Sequence, residues 1–249
     1  MFYKYPLDVT EDMFTQLADS VEFEKIGKGR VGTHIVHPFG NYVPIVRTTT
    51  QYNSPANKFK PIHLELVKLI KQTCQNKTNL TTFELNNGLC EIYTDQYKKM
   101  GWHTDQALDL APNSWICICS FYENPNCTNW RKLVVENKLT KEKTEIILEP
   151  DSLVMFSTET NAQFVHKIIL SDDKPSSRWL GITFKCSKTF IDFTNEEPII
   201  ANINKPLYLA NQEEKSQMVK LKGIENNLID FTYPEITWTI SPSDLIKPV

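Results

Sequence analysis

The chain has 249 residues, 41% of them hydrophobic, with a formal charge of −3; this excludes disorder as the main state and gives no overall basic surface for nonspecific binding of polyphosphate. Six cysteines are scattered without a CxxC pair, which speaks against a zinc site and for reduced, mostly buried thiols. No apolar run approaches the ~18 residues of a membrane span, and Pro6 and Asp8 interrupt the N-terminus before an apolar leader can form, so a soluble, intracellular, monomeric protein with no membrane partner is expected.

In chain order, Thr10 to Val21 reads as a short amphipathic helix with Thr10 as N-cap and Met13, Phe14, Leu17 and Val21 as its apolar stripe. Gly27-Lys28-Gly29-Arg30 lacks the context of a phosphate loop and reads as a turn. Residues 31 to 50 look extended. Pro61 to Lys71 carries Ile62, Leu66, Leu69 and Ile70 on one face, a second helix with proline at a tolerated position. From about residue 82 to 192, short β-rich segments alternate with turn residues, the pattern of a sandwich or barrel. The segments are Leu89 to Tyr93, Trp115 to Tyr122, Leu133 to Val135, Thr144 to Leu148, Ser152 to Phe156, Phe164 to Ile169 and Trp179 to Phe184. Both faces of Trp115 to Phe121 are apolar or small, as in a central strand covered on both sides. Asn137 to Lys143 reads as a hairpin loop with solvated charges. Beyond residue 193 the periodicity weakens, with a short helix expected over Gln212 to Leu221.

Chemistry concentrates in Gly101-Trp102-His103-Thr104-Asp105, where an imidazole stands two residues before a carboxylate. On a strand such positions share a face and can converge on one ion. His166, in Gln163-Phe164-Val165-His166-Lys167-Ile168, supplies a third ligand from a later strand. Two histidines and one carboxylate leave three positions of an octahedron open, the ligand set of non-haem Fe(II) oxygenases, whereas zinc usually wants a closed site or another third ligand. Arg178 begins the strand after His166, a position from which a planar guanidinium can take the distal carboxylate of 2-oxoglutarate in a bidentate pair.

These segments, Leu89-Cys90-Glu91-Ile92-Tyr93 with Met100 to Asp105, Leu148 to Phe156 running into His166, and Ile182-Thr183-Phe184-Lys185, resemble the AlkB-like branch of the Fe(II)/2-oxoglutarate oxygenases over roughly residues 85 to 190. The resemblance implies an α+β fold with a double-stranded β-helix, or jelly-roll, core flanked by N-terminal helices. It implies a dioxygenase domain over residues 1–192, with helices and lid in 1–82 and core in 83–192, and leaves 193–249 as an extension of unassigned role. It makes His103, Asp105 and His166 the iron ligands and Arg178, Tyr93 and Thr183 the 2-oxoglutarate residues. The family's strand reads Arg-x-Asn-x-Thr-Phe-Arg. Here one extra residue separates Arg178 from Thr183 and Lys185 ends the strand, so either a bulge returns Arg178 to the pocket or another residue binds the carboxylate. Glu91 stands where the family commonly has asparagine.

The implied activity is hydroxylation or oxidative demethylation, with succinate and CO₂ as coproducts. In such enzymes the substrate is an alkylated, flipped-out base, which makes single-stranded or damaged nucleic acid the first expected partner. Arg47, Thr48 to Thr50, Gln51 and Tyr52 are the candidate lid, with Arg47 to meet phosphate and Tyr52 to stack. An alternative keeps the enzyme class with a protein side chain or small molecule as substrate, motivated by the acidic balance. A third is an inactive jelly-roll binding module. His34, His37 and His63 fall outside the motif and are expected at the surface or in packing.

Overall fold

The computed structural model describes residues 1–9, 12–77, 83–170, 176–195 and 197–249. In chain order its elements are β1 (Tyr3–Pro6), α1 (Met13–Ala18), β2 (Glu24–Gly27), β3 (Arg30–Val36), β4 (Tyr42–Ile45), β5 (Asn57–Lys58), α2 (Pro61–Lys77), β6 (Asn87–Tyr93) and β7 (Trp115–Tyr122). There follow β8 (Lys132–Asn137), β9 (Lys143–Ile147), β10 (Ser152–Ser157), α3 (Thr158–Gln163), β11 (Phe164–Ile169), β12 (Trp179–Lys185) and β13 (Thr189–Asp192). The rest are β14 (Ile199–Ile200), β15 (Lys205–Pro206), β16 (Tyr208–Leu209), α4 (Gln212–Asn227) and β17 (Trp238–Thr239), before a 3₁₀ turn at Pro242–Leu245. The protein is mostly β-sheet with few helices.

The largest sheet runs β1-β10-β7-β12-β6-β3-β2, with β5 added beside β3. Because side chains alternate along a strand, this sheet divides two cores. Cys117, Cys119 and Phe121 of β7, Cys90 and Ile92 of β6, and Leu180, Ile182 and Phe184 of β12 point toward Phe14 and Leu17 of α1 and Leu66 and Ile70 of α2. On the other face, Ile116, Ile118 and Tyr122 of β7 with Tyr93 and Trp179 meet Leu133, Val135 and Ile168 of the small β11-β8-β9 sheet. The two-faced apolar pattern of Trp115 to Phe121 therefore does mark an interior strand, paired with β10 on one side and β12 on the other.

The helix at the N-terminus is shorter than its apolar stripe suggested: Asp12 caps it, its carboxylate accepting from Thr15 N and Thr15 Oγ1. The proposed cap Thr10 lies outside the described residues. Both α2 and α4 run longer than their periodicity, to Lys77 and Asn227, and α4 opens with a capping box between Asn211 and Glu214. The β8–β9 hairpin forms as expected, but its Lys138 is not solvated. It is buried and donates to the carbonyls of Glu225 (2.7 Å) and Leu228 (2.8 Å), capping the end of α4. All six cysteines are free thiols, four of them buried. Among the described residues no helix is long and apolar enough to cross a membrane.

Candidate metal centre

His103, Asp105 and His166 meet in space. Their ligand atoms all lie within 4.8 Å of one another, and they are the one such group of three among the described residues. His166 comes from β11, while His103 and Asp105 stand in a loop rather than on the strand their spacing suggested. A single antiparallel bridge pins the loop to β11, with His103 N donating to His166 O at 3.0 Å and His166 N to His103 O at 2.7 Å. His103 Nδ1 donates to Gly101 O at 3.0 Å, which fixes its tautomer and leaves Nε2 for an ion. His166 Nε2 lies 3.9 Å from Asp105 Oδ1.

The electrostatics suit a cation. Burial alone would raise the Asp105 carboxyl, but Lys185, both imidazoles and Lys222 together hold it below the usual carboxylate range. Burial pushes His166 down to about 3 and lowers His103 as well. The cluster thus presents two neutral imidazoles and one carboxylate, the protonation a metal requires. Lys185 Nζ approaches Asp105 Oδ2 to 3.3 Å, yet that buried oxygen makes no hydrogen bond, so an acceptor is left unsatisfied within the cluster. Donor set, charge and the unsatisfied oxygen all fit Fe(II).

The triad lies in the wall of a cavity of about 390 Å³. β6 and β12 line it with alternate residues: Leu89, Glu91 and Tyr93 from one, Trp179, Gly181, Thr183 and Lys185 from the other. Tyr93 and Thr183 are thus brought to the site, and Arg178 is not. The register of β12 against β6 is unbroken from Trp179↔Tyr93 to Lys185↔Asn87, so no bulge reverses its faces. Arg178 is solvent-exposed, pairs with Glu123 at 2.8 and 2.5 Å, and lies over Phe14 on the helix side. The expected role of Arg178 in the pocket is corrected accordingly. Trp179 takes the cavity-facing place instead, and Gly181 is required beside it, since a Cβ there would lie 2.0 Å from the indole.

The lid expectations fare unevenly. Thr48, Thr49 and Thr50 do line the cavity. Arg47 is buried, its N, Nε and Nη2 donating to Asp109 at 2.7, 3.0 and 2.7 Å and Nη1 to the carbonyls of Ile236 and Trp238, so it meets no phosphate. Tyr52 is 1% exposed and packs on His34, so it offers no stacking face. Trp102 lines the cavity, with Lys167 Nζ 4.3 Å and Lys143 Nζ 5.6 Å from its ring centre.

No role for α4 was expected from the sequence, yet it holds the loop of His103 and Asp105. Between the two loop ligands, Thr104 N donates to Asn226 Oδ1 at 2.9 Å, and Lys222 Nζ donates to Thr104 O at 2.5 Å and Oγ1 at 2.9 Å. Glu225 accepts from Ala107 N, Lys222 and Tyr233. From the other side, Asn161 of α3 brackets the Asp105 backbone with bonds of 2.8 and 2.7 Å. The available signal was the spacing: Met218, Lys222, Glu225 and Asn226 share one helix face, so a buried stripe turns polar where it meets the loop. Asn226→Ala leaves Thr104 N and Oγ1 without their acceptor, and Fe(II) affinity is expected to fall about 10-fold, the lower end of the range for groups that orient metal ligands. Metal titration of the variant checks this; unchanged affinity would show that the loop needs no support from α4.

A profile of the 2OG-Fe(II) oxygenase superfamily matches residues 15–192. Among solved structures, one described as "The structure of OsALKBH1" superimposes with a TM-score of 0.51 at 10% identity, covering 74% of this chain and 97% of its own. At that identity the likeness is one of fold. No curated protein matches the sequence.

Proposed function

The chain belongs to the 2OG-Fe(II) oxygenase superfamily, a 2-oxoglutarate-dependent non-haem iron dioxygenase, and from that premise we propose that it hydroxylates or oxidatively demethylates alkylated nucleic acid. The observation that carries the catalytic part is the convergence of His103, Asp105 and His166 on a cavity wall with an unbonded carboxylate oxygen. We read the large sheet and the β11-β8-β9 sheet facing it as the two halves of a double-stranded β-helix.

In this reading His103 Nε2, one Asp105 oxygen and His166 Nε2 hold Fe(II). With 2-oxoglutarate bound, the metal would supply activation of O₂, one oxygen atom going to succinate as CO₂ leaves and the other to the substrate C–H bond. Lys185 keeps the Asp105 carboxylate ionised and in place. Ile118 and Ile168 give the cavity an apolar wall that keeps bulk water away.

Support for a nucleic-acid substrate comes from Trp102, an indole in the cavity wall with Lys167 and Lys143 beside its ring, the pairing of aromatic surface and cation suited to single strands. A second reading, a protein side chain or small molecule as substrate, is favoured by Glu91, which puts an additional carboxylate in the cavity wall.

The experiment is succinate formation by the purified protein under Fe(II), ascorbate and air, with and without methylated single-stranded DNA. Turnover stimulated several-fold by the DNA is the expected result. Turnover indifferent to DNA would select the second reading, and absence of both turnover and Fe(II) binding would leave a binding module.

A further inference from the structure

A dicarboxylate cosubstrate needs a cation for its distal end, and Arg178 does not face the cavity. The sequence contains four arginines. Arg47 is buried against Asp109. Arg131 is fully buried and bonds the carbonyls of Tyr97 and Thr94 at 2.7 Å each. Only Arg30 lines the cavity. The other cavity cations are engaged at the metal end, Lys185 beside Asp105 and Lys222 on Thr104 and Glu225.

Arg30 is placed by the β2–β3 turn, where Gly29 adopts φ +70° and a Cβ would lie 2.7 Å from Tyr97 N. That close approach sets the guanidinium beside Tyr93 and Tyr97, its central carbon 5.9 and 5.6 Å from their ring centres. Arg30 pairs with Tyr93 in register and Tyr93 with Trp179, at the opposite end of β12 from Lys185. A cation and a phenol thus stand at one end of the cavity, and the metal ligands with Lys185 at the other.

This end already holds a carboxylate. Glu91 Oε1 accepts from Arg30 Nε at 2.7 Å and lies 2.5 Å from Nη2, and Glu91 Oε2 accepts from Tyr93 Oη at 2.7 Å. Its strand neighbours are glycines on both sides, Gly181 on β12 and Gly32 on β3. Glu91 Cγ and the Tyr52 hydroxyl flank the same glycine, a Cβ on Gly32 lying 3.4 and 3.2 Å from them, and that buried hydroxyl has no hydrogen-bond partner, so it is a donor to which the displaced carboxylate can turn.

We propose that Arg30 and Tyr93 form the seat for the distal carboxylate of 2-oxoglutarate, and that Glu91 is an internal carboxylate occupying the seat, which the cosubstrate must displace. The proposal rests on the oxygenase reading above. Its consequence is a weakened cosubstrate affinity, because two carboxylates compete for one guanidinium.

The test is calorimetric titration of 2-oxoglutarate into protein loaded with Mn(II), without iron or turnover. Glu91→Gln, which keeps shape and removes charge, is expected to bind 2-oxoglutarate about tenfold tighter than wild type. The monocarboxylate 2-oxopentanoate, which lacks the distal group, is expected to bind both proteins equally. Arg30→Met is expected to weaken 2-oxoglutarate by more than about tenfold in either background. Equal or weaker 2-oxoglutarate binding by Glu91→Gln, or an equal gain for 2-oxopentanoate, would overturn the proposal while wild-type binding leaves the oxygenase reading intact. Wild type and Glu91→Gln both taking up Mn(II) but not 2-oxoglutarate would overturn both.

Discussion

His103→Ala is expected to abolish Fe(II)-dependent turnover of 2-oxoglutarate while leaving the fold in place. The loop ligand contributes one of three donors, and groups that merely orient metal ligands already cost 10- to 100-fold in affinity, so deletion of a donor should weaken Fe(II) by at least about 100-fold. The fold survives because the bridge between the loop and β11 is made by backbone atoms of His103 and His166, which alanine retains. Only the side-chain bond to Gly101 O is lost, on the order of 1 kcal/mol. Metal titration and thermal unfolding on one preparation measure both effects. A variant that is folded and still binds Fe(II) as wild type would remove His103 from the site.

Asp109→Ala is expected to destabilise the fold more than His103→Ala or Asn226→Ala. Asp109 is fully buried and Arg47 is 4% exposed. Truncation leaves the guanidinium with only the carbonyls of Ile236 and Trp238. Breaking a buried pair from one side costs about 3–5 kcal/mol, a large share of the ~5–15 kcal/mol that holds a domain together. Urea unfolding should show the loss as a lower midpoint. The double variant Arg47→Met, Asp109→Leu should recover part of it, because the unpaired guanidinium is gone, while Arg47 N still lacks its acceptor and Asp244 loses its cation. If Asp109→Ala unfolds as wild type does, the pair carries no net stabilisation.

The strands of the large sheet were legible because each buries one or both faces, and burial writes itself into alternation. The cluster of His103, Asp105 and His166 was legible because a histidine two residues from an aspartate is a pattern of identity as well as polarity. Arg178 misled because a one-residue offset flips a side chain across a sheet, and the sequence alone does not say whether a bulge absorbs it. Arg47 misled in the opposite sense: a loop arginine is usually solvated, and its burial depends on Asp109 and on carbonyls some 190 positions onward, at separations of 189 and 191. The contribution of α4 stayed hidden for the same reason. Its bonds to Thr104 are made by polar residues whose burial is decided by tertiary contact, not by local propensity.

Those bonds also set an order of events. All three candidate metal ligands have been synthesised by residue 166, but the loop carrying two of them is tied to side chains 118 and 122 positions further along. Because α4 follows His166 in the chain, these bonds cannot form until synthesis has passed Asn226. A nascent chain that lacks α4 therefore carries the full set of donors without the frame that aims them. In the proposed reading, tight iron uptake is expected to require docking of α4, and until then the donors are present without the hydrogen bonds that hold their loop.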